Sequence, residues 1–304
     1  MISRTGTLPG APAVALAGAR RRLADFVTLT KPRVVLMVLV TTFVGYYLGS
    51  VGGQDYVRLA HTLLGTALAA AGTLALNQFL ERDVDSRMQR TRGRPLPDGR
   101  LQPGEALVFG TLTTAAGLAY LALTVGPASV LVTVATVGLY LFAYTPLKRV
   151  TPLCMVIGAV PGALPPVTGW VAARGDLGPG AAVLFAILFL WQLPHTLAIA
   201  RLYREDYARA GIRVLPVVDP DGASTERQIV AGCLALLAVG LLPTLIGLAG
   251  AVYFFGALTL GGLFLACGMA QAVAPSPPAA RRLLLASVLY LPILLVLMAL
   301  DKVS

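Results

Sequence analysis

Nine runs of apolar residues, each close to the ~20 that a bilayer core requires, leave this chain almost no freedom to fold in water. They fall at 34–51, 58–80, 105–124, 128–146, 152–172, 180–200, 228–248, 250–272 and 283–300. The chain is 57% hydrophobic and only 12% charged over 304 residues, too apolar for a soluble domain. In hydrocarbon every backbone polar group must be satisfied within the segment or by a closed barrel, and runs this long and continuous make helices. The expected fold is therefore an all-α integral membrane protein, nine helices forming one domain over 25–304 behind a flexible cytoplasmic tail at 1–24. The arginines of that tail follow its weakly apolar stretch, the reverse of a signal peptide. Cys154, Cys233 and Cys267 all fall inside spans without paired spacing, pointing to neither a disulfide framework nor a metal knuckle.

The net charge of +10 invites a nucleic-acid reading that its placement contradicts. With the N-terminus and every even-numbered loop on one face, that face collects 21 of the 24 Lys and Arg residues, leaving Arg58, Arg174 and Lys302 opposite. The positive-inside rule makes the first face cytoplasmic, with the N-terminus in and the C-terminus out. No nucleic-acid partner is expected, and the lipid bilayer is the partner. Taken singly, most of these arginines need no role beyond setting topology.

Polar chemistry gathers at the end of the second run. In 75–101 the apolar stretch stops, and Asn77, Glu81 and Asp85 follow at intervals of four. Four residues advance a helix by only about 40°, so these side chains share one face over about 12 Å. A hard cation such as Mg2+ takes one or two carboxylates together with substrate phosphates, and Arg87, Arg90, Arg92, Arg94 and Arg100 follow as phosphate partners. The bland alternative is a solvated helix end with i,i+4 pairs. Asp83 falls on the far side of a regular helix, so either the helix unwinds there or Asp83 is a structural acid beside Arg82 or Arg87. Lys148 and Arg149 end the fourth span on the same side.

Two later spans carry further signals. The fifth contains Gly158, Pro161, Gly162, Pro165, Pro166 and Gly169, so it cannot be straight, and broken helices are tolerated where they line a cavity. The sixth ends in Trp191, Gln192, Pro194 and His195, followed by Tyr203 and Asp206. Gln192 and His195 share a face. His195 reads either as a satisfied packing residue or as a contact to a buried polar substrate group. Ten of the 14 acids lie at 81–105 and 205–226, two places on one membrane face, whereas a transporter would gather charge near the midplane and show internal repeats.

Several segments together resemble the UbiA-type intramembrane prenyltransferases, and within them the branch that farnesylates protohaem. They are Thr30-Lys31-Pro32-Arg33; Asn77 to Asp85 with Met88, Arg90, Thr91, Arg94, Pro95 and Leu96; Tyr144-Thr145 with Leu147-Lys148-Arg149; Pro165-Pro166 with Gly169-Trp170; Trp191-Gln192 with Pro194-His195; and Asp206-Tyr207 with Gly211 and Leu215-Pro216-Val217. The resemblance spans about 25–300. It implies nine helices around a central cavity capped by the two polar loops, with the lipid tail leaving sideways between helices. It also implies transfer of farnesyl from farnesyl diphosphate to a vinyl group of haem b, giving haem O in a bacterial plasma membrane, with haem A synthase as a candidate partner. By the same resemblance Asn77, Glu81 and Asp85 hold Mg2+ and the diphosphate, Arg90, Arg94, Lys148 and Arg149 grip phosphate, and Asp206 is the acid of the second cluster. Lys31, Gln192, His195 and Tyr203 join as substrate-binding positions. Glu81 stands where Asp is usual, and Cys154 where Asn is expected. A quinone-precursor or chlorophyll-type acceptor is the rival within the family, since the diphosphate cluster would serve it equally.

Overall fold

A computed structural model describes residues 11–303, with the side chains of the first helix described from residue 18. Helix α1 (Ala11–Leu29) precedes the bundle. Among the described residues nine helices are long and apolar enough to cross a membrane: α2 (Pro32–Gly49), α3 (Tyr56–Asp85), α4 (Pro103–Thr124), α5 (Pro127–Leu147), α6 (Cys154–Arg174), α7 (Pro179–Leu202), α8 (Ala223–Leu245), α9 (Ala251–Val273) and α10 (Pro277–Leu300). All nine expected runs are present. The largest shift is in α10, which begins six residues early; α8 begins five residues early, which brings Glu226 into its first turn.

The tail expected at 1–24 is corrected in part. Residues 1–10 lie outside the described residues, but from 11 onward the chain is helical. Ala, Leu and Arg dominate the segment and are strong helix formers. Its second half is anchored on the loop after α3 and the first turns of α4: Arg22 pairs with Glu105, Arg100 Nε donates to Asp25 at 2.9 Å, and the Phe26 and Phe109 rings lie 5.1 Å apart.

Small residues set the packing. Without a hydrophobic driving force between helices in lipid, close backbone approach is what holds them together. A Cβ on Gly45 of α2 would stand 1.9 Å from the Pro166 carbonyl oxygen, and one on Gly169 of α6 would stand 1.9 Å from that of Thr42. These two helices therefore touch backbone to backbone. As its prolines require, α6 is broken, into Cys154–Ala163 and Pro165–Arg174. In α5 the regular helix gives way to a π-helical stretch at Leu139–Tyr144, a distortion frequent at functional sites. The chamber described next lies between α2, α3, α5, α6 and α7. The later helices bury Leu236, Tyr253, Phe264, Leu283 and Tyr290 in a core behind it.

Candidate active site

A chamber of about 580 Å³ opens among the helices, apolar over most of its wall and charged at its mouth. Helix α3 runs unbroken to Asp85, so Asn77, Glu81 and Asp85 do stand in one column, and all three line the chamber. Asn77 and Asp85 are buried. Each of the three meets a cation. Lys31 Nζ donates to Asn77 Oδ1 at 3.0 Å, Lys148 Nζ to Glu81 Oε1 at 2.6 Å, and Arg94 Nη1 to Asp85 Oδ2 at 2.6 Å. Thr145 Oγ1 accepts from Asn77 Nδ2 at 3.1 Å, fixing the amide so that its oxygen faces Lys31.

Lys31 is held unusually. It caps α2 in the left-handed region, φ 51°, the one non-glycine residue with positive φ among those described. Such a conformation costs of order 1–3 kcal/mol and persists only where the surroundings impose it. Pro32 behind it disfavours the ordinary helical alternative. Burial, then the neighbouring Arg94 guanidinium, lower its ammonium pKa to about 7.

Arg90 closes the mouth. It donates to the Tyr207 hydroxyl at 3.0 Å and lies 5.3 Å from the Tyr203 and Tyr207 ring centres, within cation–π range. Asp206 does not line the chamber. It pairs with Arg209 and accepts the Gln89 backbone N–H at 3.4 Å, clasping one polar loop to the other. Burial works against its charge, but those hydrogen bonds prevail and hold its pKa below the ordinary carboxylate range.

Of the residues named from sequence, Lys31, Arg90, Arg94, Lys148 and Gln192 join the α3 column on the chamber wall, while Arg149, Tyr203 and His195 do not. Arg149 lies just beyond the end of α5 and is exposed. Tyr203 is 42% exposed and reaches the site only as a platform for Arg90. His195 is divided from Gln192: its Nδ1 lies 2.7 Å from Ser287 Oγ on α10, and its ring stacks on Trp191 at 4.6 Å. Trp191 itself lines the chamber, and its Nε1 donates to the Ser287 carbonyl at 2.8 Å. Gln192 donates to the Ala159 and Leu188 carbonyls at 3.3 and 3.0 Å. Asp83 is exposed, 3.8 Å from Arg82, on a helix that does not unwind. Sequence reasoning missed Tyr140 as a lining residue; the recurrence of Tyr140, Tyr144 and Lys148 at intervals of four was the available signal, and all three reach the wall, the two tyrosines from the π-helical stretch.

Two carboxylates stand against Lys31, Arg90, Arg94 and Lys148, so the mouth carries a surplus of positive charge. That balance suits a polyanion, and three oxygen donors at successive turns suit a hard cation bridging to it. Among the described residues no group of three or more His, Cys, Asp or Glu could hold a metal, so phosphate oxygens would have to complete the sphere.

A helical membrane bundle whose polar mouth opens on an apolar chamber is built to act on a molecule with one charged and one greasy end. The chain belongs to the UbiA prenyltransferase family, whose model matches residues 38–295. It is 49% identical over 289 residues to a protoheme IX farnesyltransferase of Solibacter usitatus, covering 92% of this chain and 99% of the relative. Its identity to the Koribacter versatilis protein of the same name is 45% over 300 residues, covering 95% and 97%. Among solved structures, a chain described as a digeranylgeranylglyceryl phosphate synthase superposes with a TM-score of 0.79 at 16% identity, covering 92% and 98%. A UbiA homologue from Archaeoglobus fulgidus bound to GPP and Mg2+ superposes with a TM-score of 0.64 at 17% identity, covering 90% and 99%. At such identities the likeness is one of fold.

Proposed function

We propose that this protein transfers the farnesyl group of farnesyl diphosphate to a vinyl group of haem b, giving haem O and diphosphate. One structural observation carries the chemistry: paired carboxylates and four cations ring the mouth of a chamber whose remaining wall is mostly apolar. The choice of acceptor is supported by relatives named protoheme IX farnesyltransferase at 49%, 45% and 42% identity over nearly the whole chain.

Asn77, Glu81 and Asp85 would hold Mg2+ through the diphosphate, and the ion would supply positive charge where the leaving oxygens develop theirs. Lys31, Arg90, Arg94 and Lys148 do the same work from the protein side, with donors in place before the C1–O bond breaks. That bond cleaves with its electron pair leaving on diphosphate. The terminal vinyl carbon then supplies its π electrons to farnesyl C1, and the cation left beside the porphyrin ring takes the oxygen of a water, which loses a proton. The apolar wall keeps other water from quenching the farnesyl cation first. Gln192 and Trp191, which line the chamber from α7, are assigned to the haem. Asp206, Tyr203, Arg149 and His195 act from outside the chamber, Asp206 by holding the two loops together. The polar loops face the cytoplasm of a bacterium across its inner membrane, a placement supported by the 21-to-3 division of Lys and Arg. The product would pass to a haem A synthase.

The test supplies membranes with farnesyl diphosphate and either haem b or 4-hydroxybenzoate. Formation of haem O is expected, and prenylation of the benzoate alone would overturn the assignment.

A further inference from the structure

A second opening lies outside the chamber, at the membrane face where α3 and α7 end. It is a groove between the first turns of α8 and the end of α9. On α8 its wall follows one stripe, because Val230, Ala231 and Leu234 stand three, four and seven residues after Arg227 and so share a helical face. The stripe starts at the polar end of the span and runs roughly 10 Å into it at 1.5 Å per residue. Ala231 is exposed and Leu234 is 56% exposed, so the groove opens sideways onto hydrocarbon. Ala272 bounds it from α9.

The polar end carries both signs of charge. Asp221 in the loop before α8, Glu226 and Arg227 all line the groove, with Asp221 and Arg227 exposed and Glu226 buried. Among the described residues Arg227 has no ion pair, and its Nη2 reaches only the Ser224 hydroxyl, at 3.2 Å. Glu226 divides its oxygens unequally. Oε1 accepts from Arg201 Nε and Nη2 and from Gln271 Nε2, whereas Oε2 is buried without a partner. Gln271 Oε1, on the side chain bonded to Glu226, is buried and unpartnered as well. A buried acceptor left unmade is costly, the more so on a charged group, and the donors at hand are spent on Oε1. The inner end of the groove is built for a further donor.

We propose that this groove binds one phospholipid whose head carries a primary ammonium, of the phosphatidylethanolamine kind. The ammonium goes to Asp221 and Glu226 Oε2, the phosphate to Arg227, and one acyl chain lies along Val230, Ala231 and Leu234. From the loop into the span, acid, guanidinium and apolar stripe follow in the order in which such a lipid presents ammonium, phosphate and chain. A primary ammonium has three N–H donors for these acceptors. A quaternary ammonium has none, and an anionic head without an amine would set its charge against two carboxylates. The stripe directly below the charges favours a lipid over a free phosphorylated amine, which has no chain to bury there.

The test titrates purified protein with phosphatidylethanolamine, phosphatidylcholine and phosphatidylglycerol of equal acyl chains and reads the tightest bound lipid by native mass spectrometry. Phosphatidylethanolamine is expected to bind about tenfold more tightly than either of the others, the scale of one charge-assisted hydrogen bond. Asp221→Asn and Arg227→Gln, both at exposed positions, should each erase that preference while the thermal midpoint in lipid-free detergent stays at the wild-type value. Ala231→Leu, which fills the stripe, should weaken phosphatidylethanolamine and phosphatidylcholine alike, and if it does not fold the two head variants decide. Equal affinity of wild type for the three lipids, or a preference that both head variants keep, overturns the proposal. Displacement of the lipid by O-phosphoethanolamine at comparable concentration would make the head alone the ligand and overturn the assignment to a phospholipid.

Discussion

Glu81 and Asp85 at the end of α3 and Glu226 in the first turn of α8 are all carboxylates enclosed by protein and held by a cation. Glu81 meets Lys148 and Asp85 meets Arg94. Glu226 Oε1 takes Arg201 Nε at 2.9 Å and Gln271 Nε2 at 3.2 Å. What differs is what lies beside them. The first two face the chamber, so a substrate anion can draw the cations to itself and release the carboxylates for a metal. Glu226 lies outside that chamber, in contact with the side chains of α7 and α9. Removing one partner of a buried pair leaves the other charged and unsatisfied. On the proposed reading the same ion pair is a catalytic reserve in one place and a fastening in the other.

The largest expected effects break that comparison most directly. Glu81→Gln and Asp85→Asn should each lower turnover by at least 10²–10³-fold, the loss typical of a deleted preorganised electrostatic group, with the protein still inserted and its thermal midpoint little moved. Glu226→Gln should do the opposite, costing about 3–5 kcal/mol of stability while haem O formation per folded molecule stays within a few-fold of wild type. Near-normal turnover in either α3 variant at saturating Mg2+ would make both clusters structural.

The next effect sharpens the contrast through pH. Lys31, with its pKa lowered to about 7, is largely neutral in the unliganded site above that value, and an anion beside it favours the charged form. Binding farnesyl diphosphate above pH 7 therefore takes up a proton. The apparent affinity should fall by up to tenfold for each pH unit above 7 and be flat below. Kinetics from pH 6 to 9 read this as a rising KM, and Lys31→Arg, which stays charged, should flatten it. A KM in wild type that does not change with pH would mean that Lys31 is charged throughout.

How far the sequence could carry this reading is instructive for the same residues. Spacing alone put Asn77, Glu81 and Asp85 in one column, because a regular helix has a fixed turn and α3 is regular to its end. The nine spans were equally plain, since lipid demands length and apolarity that few other folds imitate. Partnerships across the bundle were not legible. Lys31 with Asn77 and Lys148 with Glu81 join residues 46 and 67 positions apart, and no local pattern records which of the cations at this end of the bundle turns inward. The place of Asp206 is set in the same way, by Gln89 and Arg209 and not by the chamber. His195 fell the other way because three helical steps separate it from Gln192 by about 60°, enough at this crowded wall for one to face the cavity and the other α10.

His195 tests that last point at a smaller scale. Its contacts with Ser287 and Trp191 make it a positioning residue for a chamber wall. His195→Ala should lower kcat/KM for haem b less than tenfold and cost about 1 kcal/mol of stability, the worth of one hydrogen bond. Gln192→Ala should lower the haem term further with little cost in stability. If His195→Ala abolished haem binding while Gln192→Ala did nothing, the assignment of the two faces would be reversed.

The smallest effect is expected at Asp83, the one acid of the α3 end that faces away. It is exposed, and Arg82 reaches it only at 3.8 Å. Exposed pairs of this kind are worth roughly 0–1 kcal/mol. It lies two residues from both Glu81 and Asp85, so a purely local field effect on the site would act on all three alike. A helix column makes a different demand, because a turn of about 200° carries position 83 out of reach of any bound diphosphate. Asp83→Asn should therefore leave turnover within twofold and the Mg2+ dependence unchanged, measured beside Asp85→Asn in the same membranes. Loss of activity in Asp83→Asn comparable to that in Asp85→Asn would show that net charge at the loop, and not the facing column, is what the reaction uses.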